Sequence, residues 1–438
     1  MPQSKQVVII GGGIIGLCSA YYLQQSGHQV TVLEQGSYQE GASHGNAGML
    51  VPSHVVPLAA PGVISQGIRW LFRRDSPFRI KPRLDPALAA WLWQFRRYCT
   101  EAHVEASMPL LRNLSLASVE LFAALSKEFS FEFERNGLLM VHSSKKGEKE
   151  NIKYAQKAQK VGLLVDILDQ KALRALEPTV QPQMTGGAFY KQDAHINPGA
   201  FVREARSFLS NQGVDCKENV TVTGFTLQEN QVTGVQTTQG NIAADEVILA
   251  AGSWSPQIGK KLGINLPIQP AKGYSVTLTA PDTSPRIPMI LTEAKVTVTP
   301  MGNFLRFGGT LELAGFDPSI DRVRASSILN TIPDFVSGSD SSYIKTEDVW
   351  SGYRPCTPDG LPIIGRSKLV KNLVIATGHA MIGITLGPIT GKLVSDLVNH
   401  EIPEIDLHKL RPERFNNGVA DPAPANIVIQ QDAVADTP

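Results

Sequence analysis

Arg354 is the side chain best placed by its neighbours to recognise a small anion. It lies in Trp350-Ser-Gly-Tyr-Arg-Pro-Cys-Thr-Pro-Asp-Gly-Leu-Pro-Ile-Ile-Gly365. Prolines and aromatics predict a stiff segment there, and a stiffly held guanidinium suits bidentate capture of a carboxylate. The competing reading is a structural arginine paired with Asp359 or another acid. Residues 7–34 carry a second chemistry. An apolar run, Val7 to Ile10, enters Gly11-Gly12-Gly13-Ile14-Ile15-Gly16, a helical stretch follows, and a second apolar run ends at Glu34. Gly11 permits a tight turn, Gly13 lets the backbone approach a pyrophosphate, and Gly16 lets the helix pack close to the strand. The helix start, at Ile14 and Ile15, offers N–H groups to phosphates. Glu34, with Gln35 beside it, ends the second strand where a carboxylate can accept ribose hydroxyls. The spacing predicts a dinucleotide site rather than an ordinary glycine-rich turn.

Two further glycine clusters extend this site. Gly41-Ala-Ser-His-Gly-Asn-Ala-Gly-Met-Leu50 follows the Glu34 strand closely. Its backbone N–H groups and the Ser43 hydroxyl can reach a phosphate or a flavin ring edge; the alternative is a flexible surface loop. Gly378-His379-Ala380-Met381-Ile382-Gly383 follows an apolar strand and precedes a helix to Asn399. N–H groups there can stabilise negative charge on a reduced flavin; the alternative is a plain helix start that His379 caps.

The elements that position these residues alternate along the chain. Residues 1–57, 185–264 and 346–415 read as a discontinuous nucleotide-binding domain. Residues 58–184, rich in helix, and 265–345, with β alternation, read as an inserted α+β substrate domain with an antiparallel sheet. The overall class is α/β with a Rossmann-like domain. A first domain assembled from several glycine-turn segments suits an enclosed cofactor such as FAD better than a nicotinamide. The tail 416–438 has no Lys or Arg and three prolines, and is expected to be disordered.

Composition narrows the class. With 438 residues, 42% of them hydrophobic, two or three domains can form a large core. A net charge of +1 argues against a nucleic-acid partner. Four dispersed cysteines and nine unclustered histidines predict a reducing compartment and no metal. No export signal or transmembrane segment is read, which predicts a cytoplasmic protein, either free or peripheral on the inner face of the membrane.

The glycine turn with Glu34, the GASHGNAGM loop, the LAAGSWS segment holding Ala251 and Gly252, the Arg354 segment and the ATGHAMIGITLGP turn occur in this order over about residues 5 to 415. Together they resemble the FAD-dependent amino-acid dehydrogenase and oxidase superfamily, the group of D-amino-acid oxidase, glycine oxidase and sarcosine oxidase. The stretch Asn46 to Gly62 is most similar to bacterial D-amino-acid dehydrogenases. The resemblance implies a two-domain fold, FAD extended through the nucleotide domain, and the substrate carboxylate on Arg354. It implies cofactor contacts at Ser43, Asn46, Ala47, Gly48 and Met49, at Gly352, and at Gly378, His379, Ile382, Gly383 and Thr385, with Val220 near the adenine. Some relatives attach flavin through a cysteine two residues before the Arg354 position. Gly352 stands there, so non-covalent FAD is expected. Two departures from the dehydrogenase pattern bear on substrate choice: Ile384 to Gly391 reads ITLGPITG, and Leu291 to Lys295 lacks a tyrosine.

The expected reaction is oxidative deamination of a D-amino acid to a 2-oxo acid and ammonia. Hydride passes from Cα to flavin N5, and orientation matters more than a strong base. Tyr353 and Tyr274 are candidates for substrate hydrogen bonds, or else half-buried packing aromatics. His54 is a candidate for the entrance, or a structural histidine. Arg306 either projects toward the flavin or forms a surface ion pair. The substrate alternative is cis-4-hydroxy-D-proline or another secondary amino acid of the glycine or sarcosine type. Residues 66–98 interleave Trp70, Trp91 and Trp93 with eight basic residues and only two acids. That pattern suits peripheral docking on an anionic membrane and delivery of electrons to a quinone rather than oxygen, or a pair of packed amphipathic helices with snorkelling arginines. Two readings from other classes compete. A nicotinamide-linked dehydrogenase leaves every motif after the first unexplained, and the flavin part of a tRNA-modifying enzyme would carry a basic face or an attached methyltransferase.

Overall fold

A computed structural model describes residues 4–38, 40–65, 67, 78–81, 83–334 and 349–415. Two sheets organise them. The first has six strands in the order Ile363–Arg366, Leu373–Thr377, Glu246–Leu249, Gln6–Ile10, Gln29–Leu33 and Asp215–Lys217. All neighbours are parallel except the first pair. Its strands come from widely separated parts of the chain. They read as unbroken apolar runs because both faces are covered. Helices Ile14–Gln25, Pro198–Asn211 and Gly387–Val398 cover one face, packing on Val7 and Ile9. A three-stranded antiparallel sheet, Val222–Gln228, Gln231–Thr237 and Gly240–Ala243, covers the other with Leu262, Ile264 and Ile268, packing on Val8 and Ile10. Alternation along one strand thus feeds two cores.

The second sheet is mostly antiparallel. Its order is Trp350–Cys356, Gln269–Thr279, Phe304–Leu313, Val296–Met301, Met289–Leu291, Leu138–His142, Gly186–Tyr190 and Val165–Asp169, with Phe78–Ile80 added beside Phe304–Leu313. Two strands at the edges of the expected nucleotide segments lie in this sheet instead. Gly186–Tyr190 pairs with Leu138–His142, and Trp350–Cys356 pairs with Gln269–Thr279. Leu138–His142 is itself an unexpected strand in a region read as helical. It is fully buried, and a short apolar run carries no period that separates strand from helix.

Helix Glu101–Leu125 is long and apolar enough to cross a membrane by length and composition. Here it is a core helix: Met108, Leu111, Leu114, Val119 and Phe122 enter three hydrophobic clusters. The Gly387–Val398 helix begins later than the glycines before it predict. A short 3-10 turn at Ala380–Ile382 comes first. Gly387 and Gly391 in the ITLGPITG stretch are close-approach positions. A Cβ on Gly391 would stand 2.5 Å from the Cys18 backbone, so this departure serves helix packing. The tail 416–438 lies outside the described residues.

Candidate active site

The glycine turn is as tight as its spacing predicts. Gly11 has φ +114, and a Cβ on it would stand 2.4 Å from the Ala250 carbonyl oxygen. A Cβ on Gly16 would stand 1.9 Å from the Gly11 carbonyl oxygen. Gly12, which no motif role singled out, is required by Tyr38, whose ring lies 2.3 Å from where its Cβ would be. Glu34 closes the loop on itself. Its carboxylate accepts from the Gly12 N–H at 2.9 Å and the Gly36 N–H at 3.2 Å. Burial pushes its pKa up, and the backbone N–H groups pull it back. The Ser43 hydroxyl accepts from the Ile14 N–H at 3.0 Å, so one helix-start donor is already engaged.

The Gly41 to Leu50 segment is pinned from the second sheet and is no loose surface loop. Arg306 is buried, with Nη1 donating to the carbonyls of His44 at 2.9 Å and Asn46 at 2.7 Å. Its Nε donates to Thr277. Burial pulls the guanidinium down to about 10, so it stays charged at neutral pH. Arg306 is therefore a clamp for the loop, and among the described residues it makes no surface ion pair. Ser275 adds a bond to the Gly45 carbonyl at 2.8 Å. Gly45 and Gly352 both lie against the Trp350 ring, each 2.1 Å from it at the Cβ position. Gly48 has φ +74 and needs its glycine against the Ile196 carbonyl.

These turns enclose one cavity of about 700 Å³. Gly11, Gly13, Ile14, Ile15, Glu34, Gln35, Ser43, Asn46, Val220, Ala251, Gly252, Gly352, Tyr353, Arg354, His379 and Gly383 line it. No cysteine lines it. Gly16, Ala47, Gly48, Met49, Gly378, Ile382, Thr385 and Tyr274 do not. Thr385 works from behind the wall. Its hydroxyl accepts from the Val51 N–H and donates to the Met49 carbonyl. His379 is buried, with Nε2 bonded to the Thr390 hydroxyl and its imidazole held neutral by burial at about 3. It caps no helix.

Arg354 is half-buried in the cavity wall. Its Nη1 donates to the Thr310 carbonyl at 2.9 Å. Asp359, the expected structural partner, is taken by Arg414 at 2.7 Å. Among the described residues Arg354 has no carboxylate partner. Its guanidinium occupies the space that a side chain at position 273 would fill. Gly273 had escaped the sequence reading; glycine inside a strand, where a close approach is common, was its only signal.

Tyr274 differs from expectation. Side chains alternate along its strand. Gly273 and Ser275 face Arg354 and the Gly45 loop, so Tyr274 points the other way. Its hydroxyl donates to Glu312 at 3.1 Å and accepts from the Asp321 N–H at 3.2 Å. Tyr353 does line the cavity, edge-on to Trp254 and near Phe316. His54 bonds Ser53, whose hydroxyl and N–H both donate to buried Asp193. Leu291 to Lys295 packs on helix Lys145–Lys160 through Thr292 and Lys295 and lines no part of the cavity. Among the described residues no cluster of His, Cys, Asp or Glu could hold a metal.

Most of residues 66–77, with Trp70, Arg73 and Arg74, lie outside the described residues. Helix Pro86–Tyr98 is described. Trp91 is buried, donating Nε1–H to the Cys356 carbonyl at 2.9 Å, so it supports the Arg354 strand. Trp93 is 63% exposed, with Arg96 over its ring. Arg79, Lys81 and Arg83 are engaged by Asp321, Asp317 and Asp85.

Comparison with known proteins agrees with this arrangement. The family model described as FAD dependent oxidoreductase matches residues 6–397. A D-amino acid dehydrogenase of Xanthobacter autotrophicus is 34% identical over 420 residues, covering 94% of this chain and 99% of the relative. One from Vibrio vulnificus is 34% identical over 411 residues, covering 91% and 97%. Among solved structures, glycine oxidase from Geobacillus kaustophilus superposes with TM-score 0.74 at 24% identity, covering 94% and 99%. L-proline dehydrogenase from P. horikoshii does so with TM-score 0.71 at 19% identity, covering 95% and 99%. The glycine turns, half-buried Glu34 and the cavity they line fit FAD, and the chain belongs to the FAD-dependent oxidoreductase family.

Proposed function

We propose that this enzyme deaminates D-amino acids oxidatively, giving 2-oxo acids and ammonia. The observation that carries this reading is Arg354: a guanidinium in the cavity wall with one N–H on a backbone carbonyl, and no carboxylate partner among the described residues. The names of the relatives support the substrate class. Bound FAD supplies the two-electron acceptor. Arg354 takes the substrate carboxylate with its remaining N–H donors and so fixes the direction of the Cα–H bond. The Arg306 clamp holds the cofactor loop opposite. Tyr353 and Trp254 cover the cavity from water. No side chain of the described site is assigned as a general base, so the amine enters neutral and proton loss to solvent precedes the chemical step.

The physiological acceptor is a quinone or other non-oxygen carrier, and helix Pro86–Tyr98 supplies the membrane contact on the cytoplasmic face. Trp93, Arg96 and Arg97 are exposed on this helix, with the two arginines in its last turn. The test is dye reduction by the FAD-loaded protein across D- and L-amino acids, glycine, sarcosine and cis-4-hydroxy-D-proline, alongside hydrogen peroxide in air. Fast turnover of D-amino acids with dye and little peroxide is the expected result. Preference for L-amino acids or cyclic imino acids refutes the substrate, and rapid peroxide formation refutes the acceptor.

A further inference from the structure

Buried charge lies on the face of the second sheet opposite Arg354. Lys272 is 1% exposed, and Glu312, 3% exposed, stands 3.6 Å from its Nζ. Lys272 pairs directly across the strands with Tyr353 on one side and Glu312 on the other, so the three side chains share one face. A buried cation persists only where its donors are satisfied. Lys272 also donates to two backbone carbonyls, Asp317 at 3.0 Å and Ser319 at 2.6 Å. Both belong to the irregular segment 314–321, which follows strand Phe304–Leu313. Three more cations fasten that segment. Arg83 Nη1 donates to the Leu313 carbonyl at 2.8 Å, Lys81 pairs with Asp317 at 2.5 Å, and Arg79 with Asp321 at 2.7 Å. Gly315 takes φ +68, and Phe316 follows it onto two rings of the cavity wall. Its ring centroid is 5.1 Å from Trp254 and 5.3 Å from Tyr353. Trp254 and Tyr353 meet edge-on at 5.9 Å, which closes the triangle. Both line the FAD cavity; Phe316 backs them and is 37% exposed.

The three rings join separate parts of the molecule. Trp254 follows strand Glu246–Leu249 of the first sheet, Tyr353 lies on the Arg354 strand, and Phe316 comes from the cation-held segment. Edge-to-face contacts stabilise each ring pair beyond simple burial. An apolar side chain at 272 could fill the same space; the lysine instead fixes two carbonyls of a segment that has no strand ladder of its own. We infer that segment 314–321 is a strap across the outer wall of the cofactor cavity, with Phe316 as its latch, and that FAD enters and leaves by parting Phe316 from Trp254 and Tyr353. The charged anchors set the position of the ring, and the ring contacts close the wall. Phe316 does not line the cavity, so it governs passage rather than affinity. The inference goes beyond the substrate reading and is independent of it, since no substrate enters its test.

The test compares wild type with Phe316→Ala, Phe316→Trp, and Lys272→Met combined with Glu312→Gln, which removes both buried charges together. FAD release from the loaded protein and FAD uptake by the apoprotein are followed by flavin fluorescence, and the Kd by titration. A latch that does not touch FAD slows entry and exit alike. Phe316→Ala should therefore speed both release and uptake about tenfold, because two ring contacts are lost. Its Kd should stay within about threefold of wild type, and Phe316→Trp, which keeps an aromatic face, should stay within about threefold in both rates. The double variant should also speed both rates with Phe316 intact. Unchanged rates in Phe316→Ala overturn the inference, as does tryptophan as fast as alanine. Faster release with unchanged uptake and a weaker Kd also overturns it, since Phe316 would then support the packing of the site rather than gate it. A folded double variant with wild-type rates overturns the anchoring by Lys272.

Discussion

Gly273→Ala tests the site at a position that no motif marks. A Cβ there would stand 2.0 Å from Arg354 Nη1 and 2.2 Å from Cζ and Nη2. Ordinary contact begins at 3.4 Å, so the guanidinium must retreat by about 1.4 Å. A misplacement of about 1 Å at a positioning group costs roughly 10²-fold in rate, or about 2.7 kcal/mol. The fold should tolerate the change, because Gly273 is not among the positive-φ glycines and the displaced atoms end a flexible side chain. Flavin content and Tm should therefore stay near wild type while kcat/KM for D-amino acids, measured by dye reduction, falls about a hundredfold. A double-mutant cycle identifies the route. Arg354→Ala alone should cost about 2–4 kcal/mol in kcat/KM. On that background Gly273→Ala should cost almost nothing more, because the group it collides with is gone. A Gly273→Ala enzyme within about threefold of wild type, or an equal loss in both backgrounds, refutes the placement of Arg354.

Three other outcomes follow from the same geometry. Glu34→Ala should weaken FAD retention, followed by dialysis and absorbance, because it strips acceptors from the Gly12 and Gly36 N–H groups; a changed substrate profile at full flavin occupancy would contradict this placement. Asp193 is buried, among the described residues only Ser53 donates hydrogen bonds to it, and burial raises its carboxyl from 3.8 to about 8. The native state then holds a proton that the unfolded chain releases, so its stabilising effect is full below about pH 4 and is lost as pH rises through about 8. Asp193→Asn should flatten that decline, at most about 1.4 kcal/mol per pH unit, in denaturant titrations from pH 5 to 8; parallel pH profiles would show that Asp193 is ionised throughout. Arg96→Gln with Arg97→Gln should reduce sedimentation with anionic vesicles, at about 1 kcal/mol per arginine, while activity with a soluble dye survives. Undiminished binding would assign helix Pro86–Tyr98 to packing alone.

Motifs that act through their own backbone were legible from the chain. Gly11, Gly13, Gly16 and Glu34 belong to one strand–turn–helix–strand unit, so local spacing contains nearly all the information about their geometry. Arg354 was legible as a stiffly held guanidinium, but its freedom from Asp359 was not. That depended on Arg414, 55 residues further on, reaching Asp359 first. Tyr274 shows the opposite case. Its type suited a substrate contact, but which face of a strand looks inward is a one-residue question that the partner strands decide. The ITLGPITG departure likewise looked like substrate chemistry until Gly391 met the Cys18 backbone.

The sequence by itself determined a nucleotide-binding unit, its acid, two further glycine turns and an arginine in a rigid segment, because each of these works through neighbours a few residues away. Only the tertiary structure decided what surrounds them. Arg306 clamps a loop more than 250 residues earlier in the chain, Gly273 makes room for Arg354, and the Thr310 carbonyl reaches it from two strands away. These contacts are non-local, made by strands with one another or with a distant loop. No residue type or short spacing encodes them, since register and side-chain face are fixed only when the sheets assemble and bury their cores.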